Sequence, residues 1–420
     1  MLWIFCFLPL VIEIYTNKMK TKFTLLLSCF FQMTALLVAQ TPLSDLGQFY
    51  PEFQEYANSR PMSYSWLSKD WPELEQWRIQ GRAKMMELLS YSPEPVPLNP
   101  EITEKVKKAG YTRYKVTYSI TPHRKTEAYL LIPDGLTKPA PAVIALHDHG
   151  GFYYYGKEKI TETENQPQIL KDFIDGAYGG RPYADELARH GFVVLCPDAI
   201  YFGSQRIDTD LMPEYFLKNY PDLKSSDKNK AIKAYNQLCG SYENIMARYF
   251  FDSGTTWPGI LFHGDRVSVD YLLTRPEVDP SRIGCIGLSI GGFRSAHLFG
   301  LDPRISVGVD AGWMTSYSKQ IDNHLRHHTW MIYVPRQLEF LDLPDVVSLS
   351  APKPLMIINC KQDGLYTMEA MQSAADKIGA VYKKVNASDN YLVKWYDVPH
   401  LFNIEMQNDA IQFLEKWLKK

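Results

Sequence analysis

The 420-residue chain has few cysteines, and none of them forms a C-x-x-C pair. A structural zinc site of the usual spacing is therefore not expected. Cys6 and Cys29 lie in an apolar N-terminal stretch, and the remaining cysteines are isolated along the chain: Cys196, Cys239, Cys285 and Cys360. We predict that these four are mostly buried free thiols, with one disulfide left open.

The chain also lacks an excess of charge of either sign. Its 45 Lys and Arg residues face 47 Asp and Glu residues, for a formal net charge of -2. This composition excludes a basic nucleic-acid binder, because no surplus of positive charge exists to neutralise phosphates. Apolar residues make up 45 % of the chain, which excludes a disordered protein and allows a large core.

Long apolar runs are confined to the N-terminus. From Met19, two lysines precede an apolar segment that extends from Phe23 to Val38, and a cut ahead of Gln40 would follow. This order is typical of a secretory signal peptide, so residues 1–40 are predicted to be a leader that exports the chain to the periplasm or the exterior. A lipoprotein signal at Cys29 ranks second, and an uncleaved N-terminal anchor is the other alternative.

No other segment approaches the roughly 18 apolar residues that a membrane helix needs, so no membrane contact is expected after leader removal.

Residues 41–110 are predicted to form an N-terminal helical arm, because apolar residues recur at helical intervals from Leu74 to Tyr91. From Tyr111 the apolar period changes to two, as in antiparallel edge strands.

Continuous apolar runs follow, which is the pattern of strands buried on both faces: 142–146, 192–196, 283–286, 307–309 and 355–358. Helical stretches alternate with these runs: 183–190, 266–274 and 368–378. This alternation predicts a mostly parallel central sheet with helices on both faces, and assigns residues 111–420 to one α/β catalytic domain. Residues 204–260 break the alternation and are predicted to be a lid-like insertion.

The strongest chemical signal is the G-x-S-x-G motif at residues 287–291, between a predicted strand and a predicted helix. In a nucleophile elbow of this kind, the serine lies on a sharp, strained turn at the positive end of a helix. Glycines two residues away on either side avoid a steric clash. Ser289 is therefore the predicted nucleophile; the alternative is a glycine-rich turn that only tightens packing.

A nucleophilic serine needs a histidine base and a carboxylate that orients it, and after such an elbow the chain order is serine, acid, histidine. His400 follows the last predicted strand, and Asp363 lies in the exit loop of the strand before it. We predict them to be the base and the acid, with Asp397 as the rival acid. The other downstream histidines are predicted to pack or to lie on a solvated face: His297, His324, His327 and His328.

The tetrahedral intermediate of acyl transfer requires backbone N–H donors at its oxyanion. The amide of Ile290 is the predicted first donor. The second is predicted in the loop 147–152, at Gly151 or a neighbour, because glycines allow close approach of the backbone. A metal bound by the His-Asp-His start of this loop is the alternative, but no further ligands with matching spacing appear.

Side chains that could line a substrate pocket are also present: His149, Tyr201, Arg206, Trp257 and Trp313. For the aromatic residues, core packing is an equally good interpretation. For Arg206, an ion pair that braces Asp198 at the end of a predicted strand is the favoured interpretation, and contact with substrate is the alternative.

Several stretches together resemble the α/β-hydrolases of the dienelactone hydrolase and acetyl xylan esterase type: 266–292, 147–151, 197–198 with 202–203, 351–355 and 399–403. The resemblance covers about residues 111–420 and includes every catalytic element in order. It implies the α/β-hydrolase fold and an exported bacterial serine carboxylesterase that removes small acyl groups, such as acetyl, from carbohydrates without a metal or organic cofactor. It also carries over Ser289, Asp363 and His400 as the triad. Dienelactone hydrolases proper use cysteine as nucleophile, so serine favours the esterase side.

Three other functions remain open at this point. An esterase for uronic acids, methyl or glucuronoyl, would be favoured by arginine or lysine in the pocket. A serine peptidase of the prolyl-oligopeptidase type is disfavoured, since no propeller repeat lies upstream. A non-catalytic carbohydrate-binding protein would not require all three catalytic side chains. The expected partner is a small-molecule or oligosaccharide ester, and the oligomeric state is left open.

Overall fold

The computed structural model describes residues 44–68, 70–321 and 324–420. The predicted signal peptide, with Cys6 and Cys29, lies outside these residues. The chain divides at Glu55 into two compact units, and in the first the structure describes a 3₁₀ turn, Gly47–Phe49, and the start of the helix Tyr50–Asn58. The sheet and the candidate site belong to the second unit. Among the described residues, no helix combines the length and apolar character needed to cross a bilayer.

The second unit is built on one nine-stranded sheet with the order β1-β2-β3-β5-β4-β6-β7-β8-β9. The strands are β1 (Glu101–Lys108), β2 (Tyr111–Thr121), β3 (Arg124–Pro133), β4 (Ala140–Leu146), β5 (Val193–Pro197), β6 (Val278–Leu288), β7 (Val307–Ala311), β8 (Leu355–Cys360) and β9 (Tyr391–Tyr396). Strands β1 to β3 pair antiparallel, as do β3 and β5, and the other pairs are parallel. The five predicted core strands are therefore confirmed.

Helices cover both faces of this sheet. The helices of the second unit are Leu74–Leu89, Gln168–Tyr178, Tyr183–Arg189, Glu214–Leu217, Lys228–Asp252, Trp257–Leu273, Ile290–Leu301, Gln337–Phe340, Leu343–Ser348, Met368–Lys384 and Ile404–Leu418. Side chains alternate between the faces along a strand, so β4 sends Ile144 into one apolar cluster and Val143 and Ala145 into the other. The predicted α/β class, with a mostly parallel sheet between two helical layers, is confirmed.

The sheet begins earlier than predicted. The predicted helical arm is wrong for its last residues, because Glu101–Lys108 is an edge strand that pairs with β2. Ile102 and Val106 are its only apolar residues, and most of its side chains are exposed. A charged edge strand is a common protection against sheet-to-sheet aggregation, and it leaves little apolar periodicity to detect.

The insertion at residues 204–260 contains no strand among the described residues, and its main element is the helix Lys228–Asp252. We call this element the insertion helix. One side of it is buried, including Leu238, Cys239 and Glu243.

The four cysteines in the described part of the chain are all buried and free, as predicted.

Candidate active site

Ser289 lies in the turn that joins β6 to the helix Ile290–Leu301, at the carboxyl edge of the parallel strands. Its backbone has φ 59° and ψ −124°, a conformation that residues with a side chain seldom adopt. Such strain persists only where the surrounding structure enforces it, and it is common at active sites. The serine side chain is thus held at the N-terminus of a helix, with the residue 7 % exposed.

The surrounding contacts explain why glycines flank the serine. A Cβ at Gly287 would lie 2.3 Å from the carbonyl carbon of Gly291, and a Cβ at Gly291 would lie 2.2 Å from the carbonyl oxygen of Leu146. At Gly292, a Cβ would lie 2.5 Å from Asp310 Oδ1. No side chain fits at these three positions, so the first turn of the helix can pack directly on the ends of β4 and β7.

His400 and Asp363 meet in the structure. His400 Nδ1 lies 2.6 Å from Asp363 Oδ2, and Asp363 Oδ1 accepts a hydrogen bond of 2.9 Å from the amide of Leu365. The rival carboxylate, Asp397, instead accepts a hydrogen bond from the side chain of Gln362 at an exposed position. The histidine is therefore oriented by the carboxylate that follows β8, and its Nδ1–H is directed to that carboxylate.

The end of β7 connects this pair to the serine. The amide of Ser289 donates a 2.9 Å hydrogen bond to the carbonyl of Ala311. A Cβ at the next residue, Gly312, would lie 3.3 Å from Cε1 of His400. The second ring nitrogen, His400 Nε2, is buried and has no hydrogen-bond partner among the described residues. The end of β7 and the glycine after it therefore lie beside both Ser289 and the ring of His400, but no hydrogen bond joins the Ser289 side chain to His400 Nε2 in the described part of the chain.

The amide of Gly151 is already engaged. It donates a 3.0 Å hydrogen bond to Nδ1 of His149 within its own loop. Gly151 is therefore not a free oxyanion donor in this conformation, and of the predicted second donor, Gly151 or a neighbour, only a neighbour remains. The amide of His149 has no acceptor in the described part of the chain, and Ile290 is the first residue of its helix, where an amide has no intrahelical acceptor.

The first two side chains of this loop are used structurally. His147 Nε2 accepts a 3.1 Å hydrogen bond from the amide of Ala199, so its Nδ1–H donates to the carbonyl of Asp148. Burial lowers the pKa of His147 well below its ordinary value, which keeps the ring neutral. Asp148 accepts a 2.6 Å hydrogen bond from Tyr178. Across the described ranges, no three metal-ligating side chains cluster.

His149 was predicted to contact substrate, but its ring is bound to the insertion helix. Its Nε2 lies 2.6 Å from Glu243 Oε1, a partner that the sequence does not indicate. Glu243 also accepts hydrogen bonds from Tyr153, Thr329 and the amide of Trp330. Burial favours the neutral acid, but the interaction with His149 and the hydrogen bonds from Thr329 and Tyr153 favour the carboxylate, and together they hold the pKa of Glu243 below its ordinary value. An isolated helical glutamate carries no sequence signal of such a role.

Two other predicted pocket residues lie in the core. Tyr201 and Trp257 are each 1 % exposed, and their rings meet edge to face at 5.2 Å. The Tyr201 hydroxyl donates a 3.0 Å hydrogen bond to the carbonyl of Cys239. The packing interpretation therefore applies to both residues, since neither side chain reaches a substrate without rearrangement of the core.

Arg206 lies in a polar cleft that also contains Lys157, apart from the candidate triad. Its guanidinium lies over the ring of Tyr154 and donates to the carbonyl of Gly203. The predicted pair with Asp198 is wrong, because that carboxylate binds the buried ammonium of Lys157 at 2.8 Å. Asp198 nevertheless braces the loop, as it also accepts hydrogen bonds from two backbone amides.

Trp313 and His328 lie beside the candidate triad. Trp313 is buried and its ring meets that of His328 edge to face at 5.8 Å. His328 Nε2 lies 2.9 Å from the carbonyl of Leu365, and burial lowers the pKa of His328 to about 4, with Asp363 and His400 among the charges that act on it. The predicted solvated face is therefore wrong for His328. Its neighbours come from the loops after β7 and β8, which chain spacing does not reveal.

Comparisons with known proteins agree with this architecture. The model of the dienelactone hydrolase family matches residues 179–324, and that of an abhydrolase family matches residues 58–200. A curated relative, "Putative hydrolase YtaP" of Bacillus subtilis (strain 168), is 26 % identical over 348 residues, which are 81 % of this chain and 100 % of the relative.

Solved structures show the same fold. One titled as a putative acetyl xylan esterase from Bacteroides fragilis has a TM-score of 0.61 at 17 % identity, over 83 % of this chain and 82 % of the other. A glucuronoyl esterase from Solibacter usitatus has a TM-score of 0.55 at 14 % identity, over 85 % and 97 %. The chain has the α/β-hydrolase fold, and the predicted resemblance to dienelactone hydrolase-type hydrolases is confirmed.

Proposed function

We propose that this α/β-hydrolase is a serine carboxylesterase that removes small acyl groups, acetyl foremost, from carbohydrates. One observation carries the proposal. The 2.6 Å contact between His400 Nδ1 and Asp363 Oδ2 leaves His400 Nε2 without a partner among the described residues, and Ser289 is held in a strained elbow at the same edge of the sheet. A binding protein needs neither the strained serine nor the oriented base.

The reaction proceeds in two steps. His400 Nε2 takes the proton of Ser289 as Oγ attacks the ester carbonyl, and Asp363 stabilises the imidazolium that forms. Collapse of the tetrahedral intermediate breaks the bond to the alcohol, which leaves with the proton from His400. Water then gives its proton to His400 and attacks the acyl-enzyme, and a second collapse releases the acid and restores Ser289.

The oxyanion is bound by backbone amides. The amide of Ile290, directly after the nucleophile, is one donor in this proposal. For the second we propose the amide of His149 instead of Gly151, because the Gly151 amide is engaged with the His149 ring. The loop 147–152 starts at the end of β4, against which the first turn after Ser289 packs at Gly291.

The substrate class rests on the similar proteins and on charge. Two solved structures with this fold are titled acetyl xylan and glucuronoyl esterases, which supports an ester of a carbohydrate. Hydrolysis of a uronate ester leaves a carboxylate on the sugar, which a free cation in the pocket would favour. Arg294 is buried in an ion pair with Asp265, and Arg206 lies in a different cleft, so neither arginine supports binding of that carboxylate. We therefore propose an acetyl ester in preference to a uronate ester.

The proposed cellular location of the enzyme rests on the N-terminal segment of the sequence. The segment from Met19 to Val38 has the pattern of a signal peptide, and we propose that it exports the enzyme to the periplasm or exterior. Oligosaccharides from outside the cell would be met there. Comparison of the mature N-terminus with the full sequence, by mass spectrometry of the exported protein, tests the cleavage ahead of Gln40.

The esterase proposal is tested by hydrolysis of p-nitrophenyl acetate and of longer acyl esters, with Ser289→Ala beside the wild type. We expect release that fades with acyl length, and a loss of kcat of at least about 10⁴-fold in the folded variant. Activity retained by Ser289→Ala would contradict the nucleophile. A folded wild type that hydrolyses glucuronoyl esters but no acetyl ester would favour the uronate alternative.

A further inference from the structure

Glu243 connects the insertion helix to both loops that flank the candidate site. Its Oε1 accepts hydrogen bonds from His149 at 2.6 Å and from Tyr153 at 2.8 Å. Its Oε2 accepts hydrogen bonds from Thr329 at 2.8 Å and from the amide of Trp330 at 3.1 Å. A carboxylate that accepts four hydrogen bonds while almost fully buried is fixed in position, and so are its partners.

The consequence for His149 is a single ring state. Its Nδ1 accepts the hydrogen bond from Gly151, so the proton of the neutral ring is on Nε2 and is donated to Glu243. The ring therefore bridges the carboxylate to the backbone two residues further along the loop. A different orientation or tautomer would break one of these two bonds.

We infer that Glu243 is a positioning residue for the reaction: through the His149 ring it fixes the loop whose amide binds the oxyanion. The inference rests on the proposed esterase function. It also gives the insertion a role other than that of a free lid, because the helix is attached to the active-site edge at this residue. Preorganised donors stabilise a developing charge far better than donors that must reorganise.

A carboxylate suits this position better than an amide. All of its partners are donors, and Glu243 offers two oxygens that can each accept two hydrogen bonds. Glutamine would keep one acceptor oxygen and direct an NH₂ group toward donors on the other side. Glu243→Gln is therefore expected to lose part of the hydrogen bonding that positions the loop, and Glu243→Ala is expected to lose all of it.

The kinetic test compares Glu243→Ala and Glu243→Gln with Thr329→Val, a matched control that removes one donor to Glu243 and leaves His149 untouched. With p-nitrophenyl acetate, we expect kcat per titrated active site to fall about 10- to 100-fold in Glu243→Ala, less in Glu243→Gln and under about threefold in Thr329→Val. KM should stay within about threefold of the wild type, because the oxyanion exists only in the transition state.

A tetrahedral analogue adds a second readout. Methylboronic acid bound to Ser289 places a charged oxygen where the oxyanion forms, so its Ki should rise in Glu243→Ala by the factor lost from kcat. The kcat of the double variant Glu243→Ala with His149→Ala should be no lower than that of the less active single variant, since both residues act through one contact. Additive losses, or an unchanged kcat per titrated site, would overturn the inference.

The ring state of His149 is measured without any substrate. The ¹⁵N shifts of its imidazole should report Nε2–H in the wild type and a mixture of tautomers in Glu243→Ala. Absence of the Nε2–H tautomer in the wild type would overturn the inference even in an active esterase. If the wild type shows this tautomer but hydrolyses no ester, the proposed function fails while the contact stands.

Discussion

The molecule contains two histidine–carboxylate pairs of equal length that do different things. His400 lies 2.6 Å from Asp363, and His149 lies 2.6 Å from Glu243. The first pair uses Nδ1 and leaves Nε2 without a partner among the described residues, whereas the second uses Nε2 and engages Nδ1 with the amide of Gly151. In the proposed mechanism, the first ring exchanges a proton with the substrate and the second holds its loop.

A short contact between a histidine and a carboxylate therefore does not by itself identify the histidine as a catalytic base. What decides the role is the other nitrogen of the ring and what lies beside it. For His400, the other nitrogen has no hydrogen-bond partner among the described residues, and the ring lies beside Gly312, which follows the residue that accepts the amide hydrogen bond of Ser289. For His149, the other nitrogen accepts the amide hydrogen bond of Gly151 in its own loop.

Replacing the carboxylate of each pair with an amide, by Asp363→Asn or Glu243→Gln, should give the largest difference in activity between the two pairs. Asp363→Asn leaves the shape of the site but presents an NH₂ group to His400 Nδ1, which favours the wrong tautomer. We expect kcat for p-nitrophenyl acetate to fall by about 10⁴-fold, far more than in Glu243→Gln. Equal losses in the two variants would break the distinction between a proton-transfer pair and a positioning pair. Circular dichroism should verify that both variants are folded.

A third buried carboxyl group, Asp310 on β7, sharpens the comparison because it has no partner. Neither of its oxygens has a hydrogen bond in the described part of the chain, and burial raises its pKa from 3.8 to about 8. Between these two values the folded state keeps a proton that the unfolded state has released. Stability therefore falls as the pH rises through this window.

Asp310→Asn replaces this carboxyl group with an amide that does not titrate in this pH range. From about pH 5 to about pH 9, we expect Tm of the wild type to fall several degrees more than Tm of the variant. Thermal unfolding followed by circular dichroism at both pH values measures the difference. The same fall in both proteins would show that Asp310 does not titrate in this range.

The sequence predicts the parts of the site that chain order fixes. Asp363 and His400 are predicted because each follows one of the last two strands, and parallel strands bring their exit loops to one edge. Their catalytic roles stay a proposal, but the structure does bring the two side chains together. The elbow at Ser289 was found because its glycines form a local motif with a steric cause.

Other features depend on contacts that no local pattern encodes. Gly151 lies in the predicted loop, but the direction of its amide depends on the ring of His149. Glu243 is 94 residues from that ring, on a helix whose sequence gives no reason to expect a buried carboxylate. The edge strand β1 was missed because its side chains are mostly charged, and pairing with β2 outweighs its weak pattern.

The most direct measurement is active-site labelling with a fluorophosphonate, mapped by mass spectrometry of peptides. The account predicts stoichiometric phosphonylation of Ser289 in the wild type, and strongly slowed labelling in a folded His400→Ala variant, because the base is lost. No labelling of Ser289, or labelling that is as fast without His400, would contradict the assignment of the nucleophile and its base.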